Sequence, residues 1–144
     1  MITEDYVSFE TAKLLKEKGF DEICSYIWRI PDIDRGYVLQ KWIITNGQIK
    51  NSDLTDGAYT APTQSLALKW LREVHHYYIQ IMLDSWACGD HLGYYVVIQK
   101  TDSDFEMMLQ DAVDEVFYQT YEQAVEAAIL YVLKNLIRYD KRRS

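Results

Sequence analysis

The sequence contains few cysteines, prolines and glycines: its 144 residues include 2 Cys, 2 Pro and 6 Gly. Two cysteines are too few for a disulfide scaffold, and so little proline and glycine argues against collagen-like and low-complexity chains. Hydrophobic residues make up 49% and charged residues 26%, which is ordinary globular composition. A chain of this size buries about 68–70% of its unfolded surface, enough for one core. We therefore expect a single domain over residues 1–144.

The sequence also lacks a long apolar run and an export signal. The longest apolar-rich stretch, residues 124–137, is interrupted by two charged side chains and an asparagine, whereas a membrane-spanning helix needs about 18 or more apolar residues. The first residues have neither the basic nor the apolar region of a signal peptide. Cys24 and Cys88 are then expected to be reduced thiols. These features predict a cytoplasmic protein without a membrane partner.

Basic residues are outnumbered, with 15 Lys and Arg against 22 Asp and Glu, a net charge of -7. Contacts to phosphates supply most non-specific affinity for nucleic acids, so this balance argues against nucleic acid as a partner. The one basic cluster is Lys141-Arg142-Arg143. We interpret it as cations near the negative end of a last helix, with a nucleic-acid contact as the alternative.

Apolar spacing and cap residues predict the order helix, hairpin, helix, hairpin, helix. Ser8 and Thr63 are suitable N-caps, and Thr120 with Gln123 matches a capping box. Predicted helices cover residues 8–18, 63–74 and 120–138, and predicted strands cover 24–30, 37–45, 77–83 and 94–100, with further short strands at 48–50 and 115–118 and an exposed loop at 51–61. The predicted fold is α+β, an antiparallel sheet from two β-hairpins packed against three helices.

The predicted last helix is apolar over more than half of its circumference. Such a helix is either packed between a sheet and other helices, or uses part of its surface to form an oligomer. A homodimer through this helix is therefore one prediction.

Three residues of the predicted turn between strands 77–83 and 94–100 carry reactive groups. Cys88, Asp90 and His91, with His75 and His76 earlier in the chain, supply the residue types of a thiol nucleophile or a zinc site. The spacing is weak, because adjacent histidines point in different directions on a strand or a helix. The alternative is an ordinary glycine-containing turn with incidental polar residues.

No other motif identifies an enzyme. Asp102, Asp104 and Glu106 begin like a calcium loop, but the sixth position is Met107 and the twelfth is Val113, so the turn glycine and the closing glutamate are missing. The common phosphate, dinucleotide, esterase and zincin signatures are absent from the sequence. We therefore assign no catalytic residue, metal or cofactor.

Charge placement is more informative, because no basic residue lies between Lys100 and Lys134. The acids in this interval alternate with apolar side chains, which suits a surface that binds a basic protein; solvated acids without a partner are the alternative. The candidate partner-binding residues are Asp102, Asp104, Glu106, Asp111, Asp114 and Glu115.

Aromatic residues make up 14% of the chain. Tyr77, Tyr78, Tyr94 and Tyr95 are predicted to face each other across the second hairpin, either as ordinary cross-strand packing or as a ligand platform. Large aromatic side chains are also common at protein interfaces.

Three segments resemble one protein family. They are residues 11–20 (TAKLLKEKGF), 61–73 (APTQSLALKWLRE) and 120–128 (TYEQAVEAA). They resemble uncharacterised small proteins of phages, prophages and mobile elements of gut anaerobic bacteria. Relatives often carry cysteine where Val132 stands here. No activity, cofactor or catalytic residue is attached to that family, so the resemblance implies only an intracellular accessory protein of a phage or integrated element.

The sequence thus predicts a non-enzymatic protein that binds a protein partner through an acidic or aromatic surface. The alternatives are a small enzyme or metal-binding protein that uses Cys88, Asp90 and His91, and a nucleic-acid-binding protein that uses the basic cluster.

Overall fold

A computed structural model describes residues 2–31, 36–84, 93–109 and 117–137. Three α-helices and six strands lie within these ranges. The helices are α1 (Phe9–Glu17), α2 (Gln64–His75) and α3 (Tyr121–Tyr131), and the strands are β1 (Tyr26–Arg29), β2 (Val38–Lys41), β3 (Tyr59–Thr60), β4 (Tyr77–Asp84), β5 (Gly93–Lys100) and β6 (Glu106–Leu109). The predicted α+β class is confirmed.

Each predicted hairpin lies in a separate three-stranded antiparallel sheet, where we expected one common sheet. The first sheet has the strand order β2-β1-β3 and the second has the order β4-β5-β6. In the second sheet, β4 and β5 pair along all eight residues, from Tyr77 opposite Lys100 to Asp84 opposite Gly93. β6 pairs with the other edge of β5. The central strand of the second sheet is therefore β5.

The three helix starts are capped as predicted. The Ser8 hydroxyl accepts from the Thr11 amide at 3.3 Å, and the Thr63 hydroxyl accepts from the Leu66 amide at 3.1 Å. In the capping box, the Gln123 amide donates to the Thr120 hydroxyl at 3.1 Å, and the Thr120 amide donates back to the Gln123 side chain at 3.3 Å. Local sequence therefore fixes where all three helices begin.

The core lies between one face of the second sheet and the helices, and α3 is at its centre. α3 packs against β4, β5, α1 and α2. Its residues Ala124, Val125, Ala128 and Ile129 are at most 1% exposed. The protein's own elements thus bury one side of the last helix, whereas Ala127, Leu130 and Tyr131 stay partly exposed, and the homodimer through this helix stays a prediction. A π-helical turn, Val132–Leu136, continues the helical backbone beyond α3.

The first sheet joins the core through α1. The Trp28 ring nitrogen donates to the Val7 carbonyl at 3.0 Å, just before α1. On α1, the Phe9 ring contacts Trp28 and also Tyr59 of β3, with ring centroids 6.5 and 5.7 Å apart. The same helix buries Leu15 in the core. α1 therefore attaches the first sheet to the core.

A buried asparagine organises the segment that was predicted to be an exposed loop. Asn51 is buried, and its side-chain amide donates to the Phe20 carbonyl at 2.9 Å. Its side-chain oxygen accepts from the Thr60 amide at 2.8 Å. These bonds place β3 beside β1, where Ile27 pairs with Thr60. The prediction of a loop throughout 51–61 was wrong at β3, because a tertiary contact rather than local pattern creates this strand.

The other differences concern short strands. Near the predicted strand 48–50, the structure has a single bridge between Cys24 and Ile49. β6 was not predicted, because its four residues have no clear period-two pattern. In the predicted strand 115–118, Tyr118 bridges Tyr94, and residues 115 and 116 lie outside the described ranges. None of the helices in the described ranges combines the length and hydropathy required to cross a bilayer.

Candidate functional site

The second sheet has one face turned to the core and one turned away from it. Successive side chains of a strand point to opposite faces, and residues paired across antiparallel strands point to the same face. The core receives alternate residues of β4 and β5, such as Ile79, Ile81, Val96 and Ile98. By the pairing register, the opposite face carries Tyr78, Gln80, Met82, Tyr95, Val97, Gln99, Glu106 and Met108. We call this set the outer face.

The outer face exposes large apolar side chains. Tyr78 of β4 is 43% exposed, and Met108 of β6 is 59% exposed. Met82 lies opposite Tyr95. Methionine and tyrosine offer contact area that adapts to a partner, and both are enriched at protein interfaces. The outer face therefore has the composition of a docking surface.

A side-chain hydrogen bond crosses the middle of the outer face. The Gln80 amide nitrogen donates to the Gln99 side-chain oxygen at 2.7 Å. Gln99 lies between Tyr78 of β4 and Glu106 of β6. The bond therefore fixes two polar side chains among the apolar side chains of the outer face. A fixed polar group among apolar side chains can determine how a bound partner is oriented on a docking surface.

Phe117 packs over one end of the outer face. Its ring lies 5.9 Å from the Tyr95 ring. A Cβ atom on Gly93 would come within 2.3 Å of the Phe117 Cβ, so only glycine allows this close approach. The next residue, Tyr118, exchanges two backbone hydrogen bonds of 2.8 Å with Tyr94. Glycine at the first position of β5 thus lets an aromatic ring lie on the sheet.

Residues 101–105 connect β5 to β6, and together with Glu106, the first residue of β6, we call them the acidic turn. The Lys100 amide donates to the Phe105 carbonyl at 3.2 Å, and the Thr101 amide donates to the His76 carbonyl at 2.8 Å. The Phe105 ring lies edge-on to Tyr77 with centroids 6.3 Å apart. The turn is therefore attached to the start of β4, at the end of the outer face that contains Tyr78.

The acidic turn exposes three carboxylates. Asp102, Asp104 and Glu106 are all exposed. Lys100 lies 3.8 Å from Asp102, an exposed pair that contributes little to stability. Its ammonium group also lies 5.2 Å from the centre of the Tyr77 ring. One lysine offsets one of three acids, so this end of the sheet remains negative.

A shallow hollow joins the acidic turn to the outer face. It measures about 370 Å³ and is lined by Tyr78, Gln99, Lys100, Thr101, Ser103, Asp104, Phe105 and Glu106. An aromatic wall beside carboxylates suits a long basic side chain, whose methylene groups pack while its cation meets the acids.

The structure therefore brings together three of the six predicted partner-binding residues. Asp102, Asp104 and Glu106 lie in one turn, whereas Asp111, Asp114 and Glu115 lie outside the described residues. Two further acids of the same interval lie on α3. Glu122 is exposed there, and the Glu126 carboxylate accepts a hydrogen bond from the Ser8 amide, which places it at the start of α1. Glu126 thus supports the fold.

The predicted cluster of four tyrosines was wrong. Tyr77 pairs with Lys100, Tyr78 with Gln99, Tyr94 with Leu83 and Tyr95 with Met82. The hairpin register places the first two tyrosines at one end of the sheet and the last two at the other, because β4 and β5 run in opposite directions. Two of the four, Tyr78 and Tyr95, nevertheless share the outer face.

The residues proposed for nucleophilic or metal chemistry give no site in the described chain. Cys88, Asp90 and His91 lie outside the described residues. His75 packs edge-on against Trp70 with ring centroids 4.7 Å apart, and His76 has a left-handed φ of 66°. In the part of the chain that the structure describes, no three His, Cys, Asp or Glu side chains are grouped as a metal site requires.

Cys24 is a buried thiol of the core. Its sulfur lies 3.6 Å from the Glu22 carbonyl oxygen. Burial raises the pKa of this thiol to about 11. A protonated, enclosed thiol is a poor nucleophile. Cys24 therefore has a structural role.

Searches with the chain against protein-family models, curated proteins and solved structures gave no match in any of the three comparisons. Function is therefore inferred from the residues and geometry of the chain itself. The acids and the strands β4 and β5 were predicted from the sequence, but the outer face was not. The outer face depends on the register between β4 and β5 and on the third strand, β6, and both are known only from the strand pairing in the structure.

Proposed function

We propose that this chain is a non-enzymatic protein-binding domain, and that its partner docks on the outer face with a basic segment against the acidic turn. The observation that carries the proposal is the adjacency of exposed apolar side chains, Tyr78 and Met108, to three exposed carboxylates on one sheet. An apolar centre with a charged rim is the usual anatomy of a protein interface.

The chemistry of the site indicates the kind of partner. The outer face carries Glu106 as its charged residue, and the neighbouring turn adds Asp102 and Asp104. Complementary charge speeds association and selects the partner. The partner should therefore present Lys or Arg beside apolar side chains.

The cellular setting is part of this proposal. The resemblance described above supports an accessory role in a phage or integrated element, and the sequence supports a cytoplasmic location. The partner is then a protein of the host bacterium or of the mobile element.

The test compares two variants with the same change in charge. The first neutralises the turn with Asp102→Asn, Asp104→Asn and Glu106→Gln, and the control neutralises three exposed acids elsewhere with Glu17→Gln, Asp53→Asn and Asp56→Asn. Tagged wild type and both variants are used to capture proteins from a host lysate, and binding of the captured protein is then measured with purified components at several salt concentrations.

The expected result is about tenfold or greater loss of affinity for the turn variant at low salt, with a flatter salt dependence. The control should bind like wild type. Tyr78→Ala with Met108→Ala should also weaken binding, but with the salt dependence unchanged, because it removes only apolar contact. Equal affinity for wild type and the turn variant would contradict the proposal.

A further inference from the structure

The free edge of β4 differs from every other sheet edge in the described residues. β2 and β6 are four residues long and carry Lys41 and Glu106, and β3 has two residues. β4 has eight residues and pairs with β5 alone among the described strands. Proteins usually protect long edges with charge, proline, a bulge or a covering element.

β4 has none of these protective features over its first seven residues, and its one charged residue is Asp84 at the end of the strand. From Tyr77 to Leu83 it contains neither a charged residue nor proline. Its pairing with β5 is continuous over eight residues, so it has no bulge. Ile79 and Ile81 are only half-buried, whereas Val96 and Ile98 on the central strand are fully buried. Apolar surface thus remains along the edge on the core side as well as on the outer face.

The direction of the edge's backbone groups follows from the hydrogen bonds of the hairpin. The Thr101 amide donates to the His76 carbonyl, so this carbonyl points toward β5 and the Tyr77 N–H of the same planar peptide points away from it. Groups alternate along an antiparallel strand, so Tyr78, Gln80 and Met82 also point toward β5. The N–H and C=O groups of Tyr77, Ile79, Ile81 and Leu83 therefore point outward, away from the sheet.

The sequence of β4 is nearly symmetric about Gln80. Ile79 and Ile81 flank it, Tyr78 and Met82 come next, and Tyr77 and Leu83 lie beyond them. Two antiparallel copies centred on Gln80 would pair Ile79 with Ile81 through outward-pointing groups, and Tyr78 with Met82. An edge that matches itself under a two-fold axis is the requirement for an isologous dimer.

We propose that β4 pairs with β4 of a second copy of this chain, which gives a continuous six-stranded sheet in a homodimer. The dyad passes between the two Gln80 side chains, which form a closely spaced pair about 4.5 Å apart at Cα. The amide of Gln80 uses one hydrogen to bond Gln99 and keeps a second hydrogen and an oxygen for its copy. Dimerisation places the two outer faces side by side and does not require the partner proposed above.

The first test measures the mass of the purified protein by light scattering after size exclusion. We expect twice the 17.0 kDa of the chain at micromolar concentration. Gln80→Lys places two cations opposite each other at the dyad and should weaken the dimer at least tenfold. Met108→Lys puts the same charge on the outer face two strands away and is the matched control; it should stay within threefold of wild type. Circular dichroism verifies that both variants are folded.

Two further measurements locate the dyad. A mixture of Gln80→Lys and Gln80→Glu chains should form a heterodimer, because opposite charges then face each other. In a Cys88→Ser background, Gln80→Cys should form an intermolecular disulfide readily, since the Cα separation suits one. Tyr95→Cys, one strand inward, should not. A monomeric wild type, a dimer indifferent to Gln80→Lys, or equal cross-linking at Tyr95 would overturn the proposal.

Discussion

Single buried polar groups show how tertiary contacts complete this fold. Asn51 is 4% exposed. Its side-chain nitrogen donates to the Phe20 carbonyl, and its side-chain oxygen accepts from the Thr60 backbone amide. A buried polar group without a partner costs free energy, so both backbone groups depend on this side chain.

We expect Asn51→Ala to lower the free energy of unfolding by about 2–4 kcal/mol, because it leaves two buried backbone groups without partners. The matched control is Ser52→Ala, an exposed neighbour whose backbone amide still donates to Asp21. Urea denaturation of both variants measures the difference. A loss below 1 kcal/mol for Asn51→Ala would show that water replaces the amide.

Cys24 predicts a pH dependence of stability. Burial holds the pKa of its thiol at about 11 in the folded chain, and the value in an unfolded chain is about 8.5. Above pH 8.5 the unfolded chain releases a proton that the folded chain retains, so the free energy of unfolding should fall as the pH rises toward 11 and should not change from this source below pH 8.

The measurement is the free energy of unfolding between pH 8 and 10 in a Cys88→Ser background, with and without Cys24→Ala. The alanine variant should be less stable throughout because it loses core packing, but its decline with pH should be shallower. The half-buried tyrosines Tyr6 and Tyr59, whose pKa values desolvation also raises, remain in both proteins and cancel in the comparison. If the free energy of unfolding falls equally with pH in both proteins, the Cys24 thiol is not the source of the pH dependence.

The helices and strands that were predicted correctly are those whose positions depend on residues nearby in the sequence. The helix starts at Ser8, Thr63 and Thr120 were correct, because each cap is made by side chains within three residues. The strands β4 and β5 were found from their composition and alternation. Elements with strong local signals therefore needed no tertiary information.

Two short strands were missed, β3 because its partners lie elsewhere in the chain and β6 because its four residues have no clear period-two pattern. β3 has two residues, and its Thr60 pairs with Ile27, 33 residues earlier, and donates to Asn51, 9 residues earlier. The tyrosine cluster was wrong for another reason: the two strands of a hairpin run in opposite directions, which places residues 77 and 78 opposite 100 and 99. The candidate site combines both cases: its acids were visible in the sequence, whereas the sheet face beside them required the register of three strands.

At the scale of the whole molecule, one core connects both sheets. α3 packs on the second sheet and on two helices, and α1 carries the aromatic contacts of the first sheet. Neither sheet therefore has an apolar core of its own, and we expect both to unfold together.

The fluorescence of Trp28 reports on the first sheet, because Trp28 lies in β1 and its ring nitrogen donates a hydrogen bond to the Val7 carbonyl. A variant that keeps Trp28 and replaces the other three tryptophans with phenylalanine separates this signal. Its fluorescence transition in urea should coincide with the far-ultraviolet circular dichroism transition, which is dominated by the helices. An earlier fluorescence midpoint would show that the first sheet unfolds independently.

The central position of α3 has a consequence for protein synthesis. The strands and helices that α3 covers all precede it in the chain, so each is made before the element that shields it from water. Until residue 131 has left the ribosome, the core face of β5 stays uncovered and open to contacts with other nascent chains or chaperones. The interval between translation of β5 and translation of α3 is therefore the time when this protein is most vulnerable to aggregation.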